Sequence, residues 1–336
     1  MTIRLLVLGG TGFVGPAIIE DARSRGWHVT VFNRGTRRPD PDVTVLQGDR
    51  VAPGGLTALT DGTWDIAVDT WSGAPTAVRD AGALLADRVG RFVYVSSRSV
   101  YTFPPPAGAD EHAPVVEASP DDGDLDFPEG YARAKAGAEL AATAAFGDRV
   151  LLARAGLILG PHEDVGRLPW WLARITRGGP LLAPGPADAA VQYIDVRDLA
   201  TFVLDAADRG LAGPYDLVCP VGHTTMGDVL EACVSVTGSD AELRWTPADR
   251  ILAAGIEPWT DLPIWLPPGE LHDAMHGSDV SKAVAAGLRC RPITDTVADT
   301  WRWLRDLGGS PPQRADRPPV GMDPDVEAAL LEQPAR

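Results

Sequence analysis

A tyrosine and a lysine four residues apart, Tyr131 and Lys135, could move protons together. In a helix this spacing places both side chains on one face. A tyrosine phenol has a pKa of about 10, and a neighbouring ammonium favours the phenolate and lowers that value. The pair is therefore predicted to act as a general acid and base near neutral pH. Ser97 follows a strand-like run, and we expect its hydroxyl to donate to a substrate oxygen, because parallel strands end at the ligand crevice.

A glycine-rich loop over residues 9–15 could hold a phosphorylated ligand. It directly follows the first predicted strand and opens the first predicted helix, which is the context that a dinucleotide fingerprint requires. Its glycines allow a tight turn and bring backbone N–H groups close to a pyrophosphate at a helix N-terminus. The predicted contacts of this loop with the dinucleotide are Gly9, Thr11, Gly12, Phe13, Val14 and Gly15.

The end of the second predicted strand indicates which dinucleotide is bound. A site that prefers NAD has a carboxylate there for the ribose 2′-hydroxyl, but this strand ends in Asn33 and Arg34, with Arg37 and Arg38 close behind. Guanidinium groups suit the 2′-phosphate of NADP. NADP is the predicted cofactor, NAD is the alternative, and a solvated basic turn with no role is the simplest other interpretation.

These side chains need a framework that brings strand ends together, and the first half of the chain has the pattern of one. Short apolar runs at 3–8, 28–32, 43–47, 65–68, 92–96 and 150–153 alternate with helix-like stretches. This alternation predicts an α/β fold with a doubly wound parallel sheet of the Rossmann type. Asp49 and Arg50 follow the third of these strands and are predicted to meet the adenine edge.

The domain organisation is predicted from changes in composition. Residues 1–160 form the dinucleotide-binding domain, and residues 161–307 form mainly a smaller substrate-binding lobe, from which 190–220 return to the main sheet. The segment 103–128 is rich in Pro, Asp, Glu and Gly and is interpreted as a lid on the substrate side, with a solvated loop as the alternative. Residues 308–336 are predicted to be a tail. Tryptophan-bearing segments at 168–172 and 257–266 are candidates for aromatic walls of an apolar pocket, with ordinary packing as the alternative.

Composition excludes several classes of function. The net charge of −16 over 336 residues would repel a nucleic-acid backbone. No apolar run approaches the roughly 20 residues of a membrane span, and we see no signal-peptide pattern, so we expect a cytoplasmic protein with no membrane partner. The three cysteines are scattered and the histidines are isolated, so no metal site is predicted.

Taken together, these motifs resemble the extended short-chain dehydrogenase/reductases of the NAD-dependent epimerase/dehydratase family, over most of residues 1–305. The motifs that carry the resemblance are Gly9-Gly10-Thr11-Gly12-Phe13-Val14-Gly15, Val93-Tyr94-Val95-Ser96-Ser97-Arg98-Ser99-Val100-Tyr101, the Tyr131/Lys135 pair, Gly156-Leu157-Ile158-Leu159-Gly160-Pro161 and Tyr193-Ile194-Asp195-Val196-Arg197-Asp198. The resemblance implies that Ser97 polarises the substrate oxygen, that Tyr131 transfers the proton, and that Lys135 also binds the nicotinamide ribose. It implies homodimer formation through the helices that flank the sheet.

The sequence departs from the family in ways that bear on the substrate. Val191 stands where sugar-nucleotide members usually have an arginine that grips the substrate diphosphate, which makes a UDP-sugar substrate less expected. The predicted function is an NADP-dependent oxidoreductase acting on a carbonyl or hydroxyl of a small molecule. Two alternatives remain: an epimerase or dehydratase that uses a tightly bound NAD(P) transiently, and a non-catalytic dinucleotide-sensing regulator.

Overall fold

The computed structural model describes residues 2–35, 42–314 and 319–332. The strands within them are β1 (Arg4–Leu8), β2 (His28–Asn33), β3 (Thr44–Gln47), β4 (Trp64–Asp69), β5 (Val89–Ser97), β6 (Val150–Ala155), β7 (Leu157–Leu159), β8 (Pro180–Pro184), β9 (Tyr193–Asp195), β10 (Gly213–Leu217) and β11 (Glu242–Thr246). The helices are α1 (Val14–Ser24), α2 (Pro75–Leu85), α3 (Tyr131–Phe146), α4 (Arg167–Ile175), α5 (Val196–Asp208), α6 (Met226–Thr237), α7 (Ala248–Ala253), α8 (Glu270–His276), α9 (Ser281–Ala285), α10 (Ile293–Asp306) and α11 (Pro324–Glu332).

The central sheet has seven strands in the order β3-β2-β1-β4-β5-β6-β10, and all of its neighbouring pairs are parallel. Its apolar side chains alternate between two cores. Leu5 and Val7 pack on the side of α1 and α5, while Leu6 and Leu8 pack on the side of α2 and α3. Burial on both faces is the reason that these strands read as continuous apolar runs. The predicted doubly wound Rossmann-type fold is confirmed.

The predicted strands of the sheet are all present, and their ends differ from the prediction by at most three residues. The late strand predicted at 215–218 is β10, which pairs with β6 at the edge of the main sheet. The predicted lid segment 103–128 contains no helix or strand. Its backbone bonds to the chain beyond α8, where Gly108 N donates to Gly277 O at 2.8 Å and Asp279 N donates to Ala109 O at 3.0 Å. Its action as a lid stays a prediction.

A second core lies in the smaller lobe, between α4, α6, α10 and the two-stranded β8–β11 sheet. Its largest buried side chains are Trp171 and Trp265. The segment predicted to be a tail contributes to this core as well, because α11 buries Leu330 and its Glu327 accepts from Arg174 Nε at 2.6 Å and from Leu182 N at 3.0 Å. Composition alone gave no sign of this packing, since the apolar residues of α11 follow a long stretch rich in proline.

Candidate active site

The glycine loop lies between the ends of β1 and β4, where the direction of strand order reverses in the sheet. Gly9 has φ +108°, and a Cβ there would stand 2.4 Å from Thr70 Oγ1. A Cβ on Gly15 would stand 2.4 Å from the backbone of Gly10, so helix α1 can approach the turn this closely only with glycine. A Cβ on Gly12, in contrast, would meet nothing within 4 Å. The turn is therefore closed on the protein side and open at Gly12.

The start of α1 is suited to an anion. No side chain caps it, since Phe13 precedes the helix, and its first turn contains no acidic residue. The first N–H groups of a helix have no partners within the helix, and its dipole favours negative charge there. The residues present thus fit the pyrophosphate of a dinucleotide, and the contacts predicted for it at this loop stay a prediction.

The predicted adenosine end lies at the ends of β2 and β3. Asn33 Oδ1 accepts from Gly35 N at 2.8 Å, while its buried Nδ2 has no hydrogen-bond partner among the described residues. A buried amide without a partner is rare and calls for an acceptor from elsewhere. The Arg34 side chain is exposed beside it, and Asp49 follows β3 with Oδ1 accepting from Val51 N at 3.2 Å. The predicted Arg37 and Arg38 lie outside the described residues.

Arg50, which was predicted to meet the adenine edge, is engaged in a buried ion pair. Its guanidinium forms two hydrogen bonds with Asp69, at 2.7 and 2.8 Å, and a third with Ala77 O at 2.9 Å. Both members of this ion pair are buried, and the guanidinium lies 5.0 Å from the Trp71 ring centre. Through these contacts Arg50 links the end of β4 to α2, while its buried Nε has no hydrogen-bond partner among the described residues. A direct contact with adenine stays a prediction.

One cleft of about 750 Å³ brings the proton-transfer candidates and the glycine loop together. Its walls include Ser97, Tyr131 and Lys135, together with Gly12, Phe13, Val14 and Gly15. The other predicted cofactor contacts, Gly9, Thr11, Asn33, Arg34, Asp49 and Arg50, lie outside the walls of this cleft. Ser97 is partly buried at the end of β5, where its Oγ accepts from Ser99 N at 3.1 Å.

Lys135 is buried, and its ammonium is held by backbone oxygens and an aromatic face. Nζ donates to Trp71 O at 2.7 Å and to Val95 O at 2.8 Å, and it lies 4.8 Å from the centre of the Tyr94 ring. These contacts join α3 to the ends of β4 and β5. Tyr131 begins α3 one turn earlier, and the Phe127 ring packs edge-on against it with 5.9 Å between ring centres.

A buried polar network lies behind this cleft, and the sequence reasoning missed it. Asp216, on β10, accepts from Tyr101 Oη at 2.7 Å, and burial raises the pKa of its carboxyl to about 6. Arg98, the residue after Ser97, lies 3.6 Å from the second carboxylate oxygen. Its guanidinium donates to Ala274 O, Met275 O and Ser278 Oγ. Arg98 thus joins the Ser97 strand end to α8, and neighbouring positions in the sequence give no signal for such a contact.

The substrate side of the cleft comes from parts of the chain that are distant in sequence. Of the predicted aromatic segments, 257–266 contributes Trp259 and Leu266 to the walls. The segment 168–172 contributes none, because Trp171 is buried in the lobe core with Nε1 donating to Pro263 O at 2.7 Å. The reasoning from sequence missed further wall residues, including Thr70, Ser72, Asp164, Val165, Arg167, Leu271, Met275 and Arg314.

Neither a metal site nor a membrane-spanning helix is present in the described part of the chain. Across 2–35, 42–314 and 319–332, no group of three or more His, Cys, Asp or Glu side chains could hold a metal ion. None of the helices in those ranges combines the length and apolar character needed to span a membrane.

A comparison with models of known protein families gives a match. Residues 76–218 match the model of the NAD dependent epimerase/dehydratase family. The central part of the chain is similar to that family. The resemblance drawn from the motifs is confirmed over this range, which includes Ser97, Tyr131 and Lys135. The glycine loop precedes the matched range of this epimerase/dehydratase region, so its assignment depends on the loop geometry.

Solved structures agree with the epimerase/dehydratase fold. The Bordetella bronchiseptica enzyme WbmH in complex with NAD+ is 18% identical, with 92% of this chain and 100% of that chain covered and a TM-score of 0.67. The UDP-glucose 4-epimerase of Thermus thermophilus, in complex with NAD, is 21% identical, covering 90% and 99% with a TM-score of 0.61. UDP-N-acetylglucosamine 4-epimerase from Bacillus cereus is 16% identical, covering 90% and 100% with a TM-score of 0.64. At these identities the likeness shows the fold alone. No curated protein matches the chain.

Proposed function

We propose that the protein is an NADP-dependent oxidoreductase that acts on a carbonyl or hydroxyl group of a small molecule. The observation that carries the proposal is the shared cleft, in which Ser97, Tyr131 and Lys135 line the same walls as the glycine loop. A loop that can bind a dinucleotide and side chains that can transfer a proton act on one substrate only if its reacting carbon lies between them.

Each side chain has a distinct part in the proposed reduction. The glycine loop would hold the dinucleotide, whose reduced nicotinamide would supply a hydride to the carbonyl carbon. Tyr131 donates its hydroxyl proton to the carbonyl oxygen, and Ser97 Oγ donates a hydrogen bond to the same oxygen and so stabilises the developing negative charge. Lys135 sets the position of α3 through its two backbone hydrogen bonds, and its spacing of four residues puts its positive charge on the same helix face as Tyr131.

The preference for NADP over NAD is supported by the end of β2. The residue at the expected carboxylate position is Asn33, so no negative charge there opposes a 2′-phosphate, and Arg34 follows it with an exposed side chain. The WbmH and Thermus thermophilus structures named above hold NAD, and the difference in cofactor is therefore a property that we propose for this chain.

Isothermal titration of NADPH and NADH tests the cofactor preference. We expect wild-type protein to bind NADPH more tightly, and Arg34→Ala to lose about tenfold in NADPH affinity with little change for NADH, because only NADPH has the charged group that Arg34 would bind. Arg244→Ala, which removes another exposed arginine on the smaller lobe, is the control. Equal affinities of the two dinucleotides for wild-type protein would remove the NADP assignment.

A second candidate is an epimerase or dehydratase that keeps its cofactor bound and recovers the hydride within each turnover. The match of residues 76–218 to the epimerase/dehydratase family favours it. The two candidates differ in stoichiometry. A net oxidoreductase consumes one NADPH for each carbonyl reduced, whereas an epimerase or dehydratase leaves the amount of reduced cofactor unchanged when its substrate is exhausted.

A further inference from the structure

Large apolar side chains remain exposed around the mouth of the cleft. Phe103 is 57% exposed and Phe127 is 39% exposed, both on the segment 103–128, and Leu271 on α8 is 49% exposed. All three line the cleft. Apolar surface that stays exposed to water beside a cleft indicates a ligand that covers it on binding, since burial of apolar surface is favourable.

The segment 257–266 contributes apolar residues to the cleft, and its backbone has two unusual conformations. Trp259 has φ +68° and Ile264 has φ +75°, conformations that are rare for a bulky or β-branched residue. The loop between them is held by Trp259 N donating to Trp265 O at 3.0 Å. Trp265 in turn is buried, with Nε1 donating to Gly185 O at 3.2 Å. Strained backbone persists only where its surroundings over-determine it, and it is typical of sites that position a ligand.

The charged side chains of the cleft are mostly engaged with the protein. Arg98 donates to two carbonyl oxygens of α8, and Arg167 binds Glu163 at 2.9 Å and Ile158 O at 3.1 Å. A nucleotide diphosphate would need guanidinium or ammonium groups directed at it. Using Arg98 or Arg167 in that way would leave a buried acceptor without its donor, which is costly.

We infer that the part of the substrate beyond its reacting carbon is an uncharged, apolar group of about one or two rings, held between Trp259 and the phenylalanines of the segment 103–128. This inference rests on the proposed function, because it assumes that the substrate occupies the cleft of Tyr131. The cleft of about 750 Å³ also has to take the nicotinamide, and the remaining space is sufficient for a ring system.

Binding to a protein that has lost turnover tests the inference separately from the proposed function. Tyr131→Phe loaded with NADP+ is titrated calorimetrically with 2-naphthaldehyde, benzaldehyde, 4-formylbenzoate and UDP-glucose. We expect affinity to fall in that order, with UDP-glucose not bound. Tightest binding of UDP-glucose would overturn the inference, even if wild-type protein proved to be an NADPH-dependent reductase. Binding of the neutral aldehydes in the expected order, without their reduction by wild-type protein and NADPH, would contradict the proposed function and leave the apolar site in place.

Substitutions of residues that line the cleft test where the aldehyde binds. Trp259→Ala should weaken 2-naphthaldehyde binding by about tenfold or more, and Trp259→Phe should restore most of it, because a stacked ring is replaced by another ring. Trp245→Ala, which removes a tryptophan outside the cleft, is the matched control and should bind as before. Phe103→Ala removes an exposed side chain that folding does not need, and a loss of about threefold is expected. Unchanged binding in both Trp259→Ala and Phe103→Ala would overturn the assignment.

The titration with 4-formylbenzoate tests the main alternative, a substrate with a negative charge. Arg314 also lines the cleft, so a carboxylate on the substrate would be placed near it. If 4-formylbenzoate binds more tightly than benzaldehyde, and Arg314→Ala abolishes that advantage, the substrate is an anion and the inference of an uncharged group is wrong.

Discussion

The two sides of the cleft are formed by different kinds of groups, backbone on one side and large side chains on the other. The dinucleotide side consists of backbone and small residues in one continuous turn, where Gly12 leaves space and Gly15 allows close packing. The substrate side consists of large apolar side chains from segments far apart in sequence, among them Phe103, Trp259 and Leu271. A surface formed by one continuous turn can be predicted from a sequence motif. A surface formed by the packing of distant segments cannot. Substitutions on each side of the cleft, and at the contacts that join the two sides, test this difference.

The largest effect is expected from Tyr131→Phe, at the point where the two sides meet. The ring and its contact with Phe127 would remain, but the transferable proton would be lost. We expect kcat to fall by about 10²–10⁴-fold, the usual contribution of a positioned general acid, with NADPH affinity changed less than about twofold. Steady-state kinetics and calorimetry measure the two quantities. Retention of turnover by this variant would contradict the role of Tyr131.

The next effect concerns Asp216, which supports the substrate side through Arg98. Its folded-state pKa of about 6 lies above the unfolded value of about 4, so the folded protein holds the proton more tightly. This contribution to stability is present below pH 4 and is lost as the pH rises to 6, by about 3 kcal/mol for two pKa units. Tyr101, Arg98, Arg154 and Glu111 are the titratable or charged groups that act on this carboxyl.

Asp216→Asn measures this contribution by difference. The free energy of unfolding, from urea denaturation at pH 4, 5, 6 and 7, should fall less steeply with pH in the variant than in wild-type protein. Other groups that titrate in this window, including His276, whose pKa is lowered to about 4 by burial, contribute to both curves and cancel. Parallel curves for the two proteins would show that Asp216 does not titrate there.

The smallest effects come from a matched pair on the dinucleotide side. Gly15→Ala forces a methyl group against the backbone of Gly10 and should destabilise the fold by about 1–3 kcal/mol, with loss of dinucleotide binding. Gly12→Ala meets nothing within 4 Å and should melt at the wild-type temperature. Its methyl group would occupy the space in which we place the pyrophosphate, so NADPH affinity alone should fall. Thermal unfolding and calorimetry of both variants distinguish packing from ligand contact.

If Gly12→Ala bound NADPH as tightly as wild-type protein does, the open space at residue 12 would not be the site of the pyrophosphate. If Gly15→Ala were as stable as wild type, the close approach of α1 to the turn would not matter for folding. Either result would remove the contrast between a closed inner side and an open outer side of the loop.

Much of the fold and part of the site could be predicted from sequence. The strands of the sheet were predictable because burial on both faces produces short apolar runs between helical patterns. Ser97, Tyr131 and Lys135 were predictable as a group because each lies at the end of a strand or the start of a helix on the same edge of the sheet. Arg50 was assigned by its position after β3, yet its guanidinium turns to Asp69, a partner 19 residues away that no local pattern indicates.

The doubly wound sheet, the glycine turn and the position of Ser97, Tyr131 and Lys135 at one edge were evident from the residues alone, since each depends on local backbone geometry and on the period of apolar positions. The roles of the tryptophans became clear from the packing: Trp171 fills the lobe core, while Trp259 lines the cleft. The packing also decided the burial of α11 and the contact of Arg98 with α8. These features depend on contacts between residues that are distant in the chain. The strength of such contacts is set by burial, which a local sequence motif does not indicate.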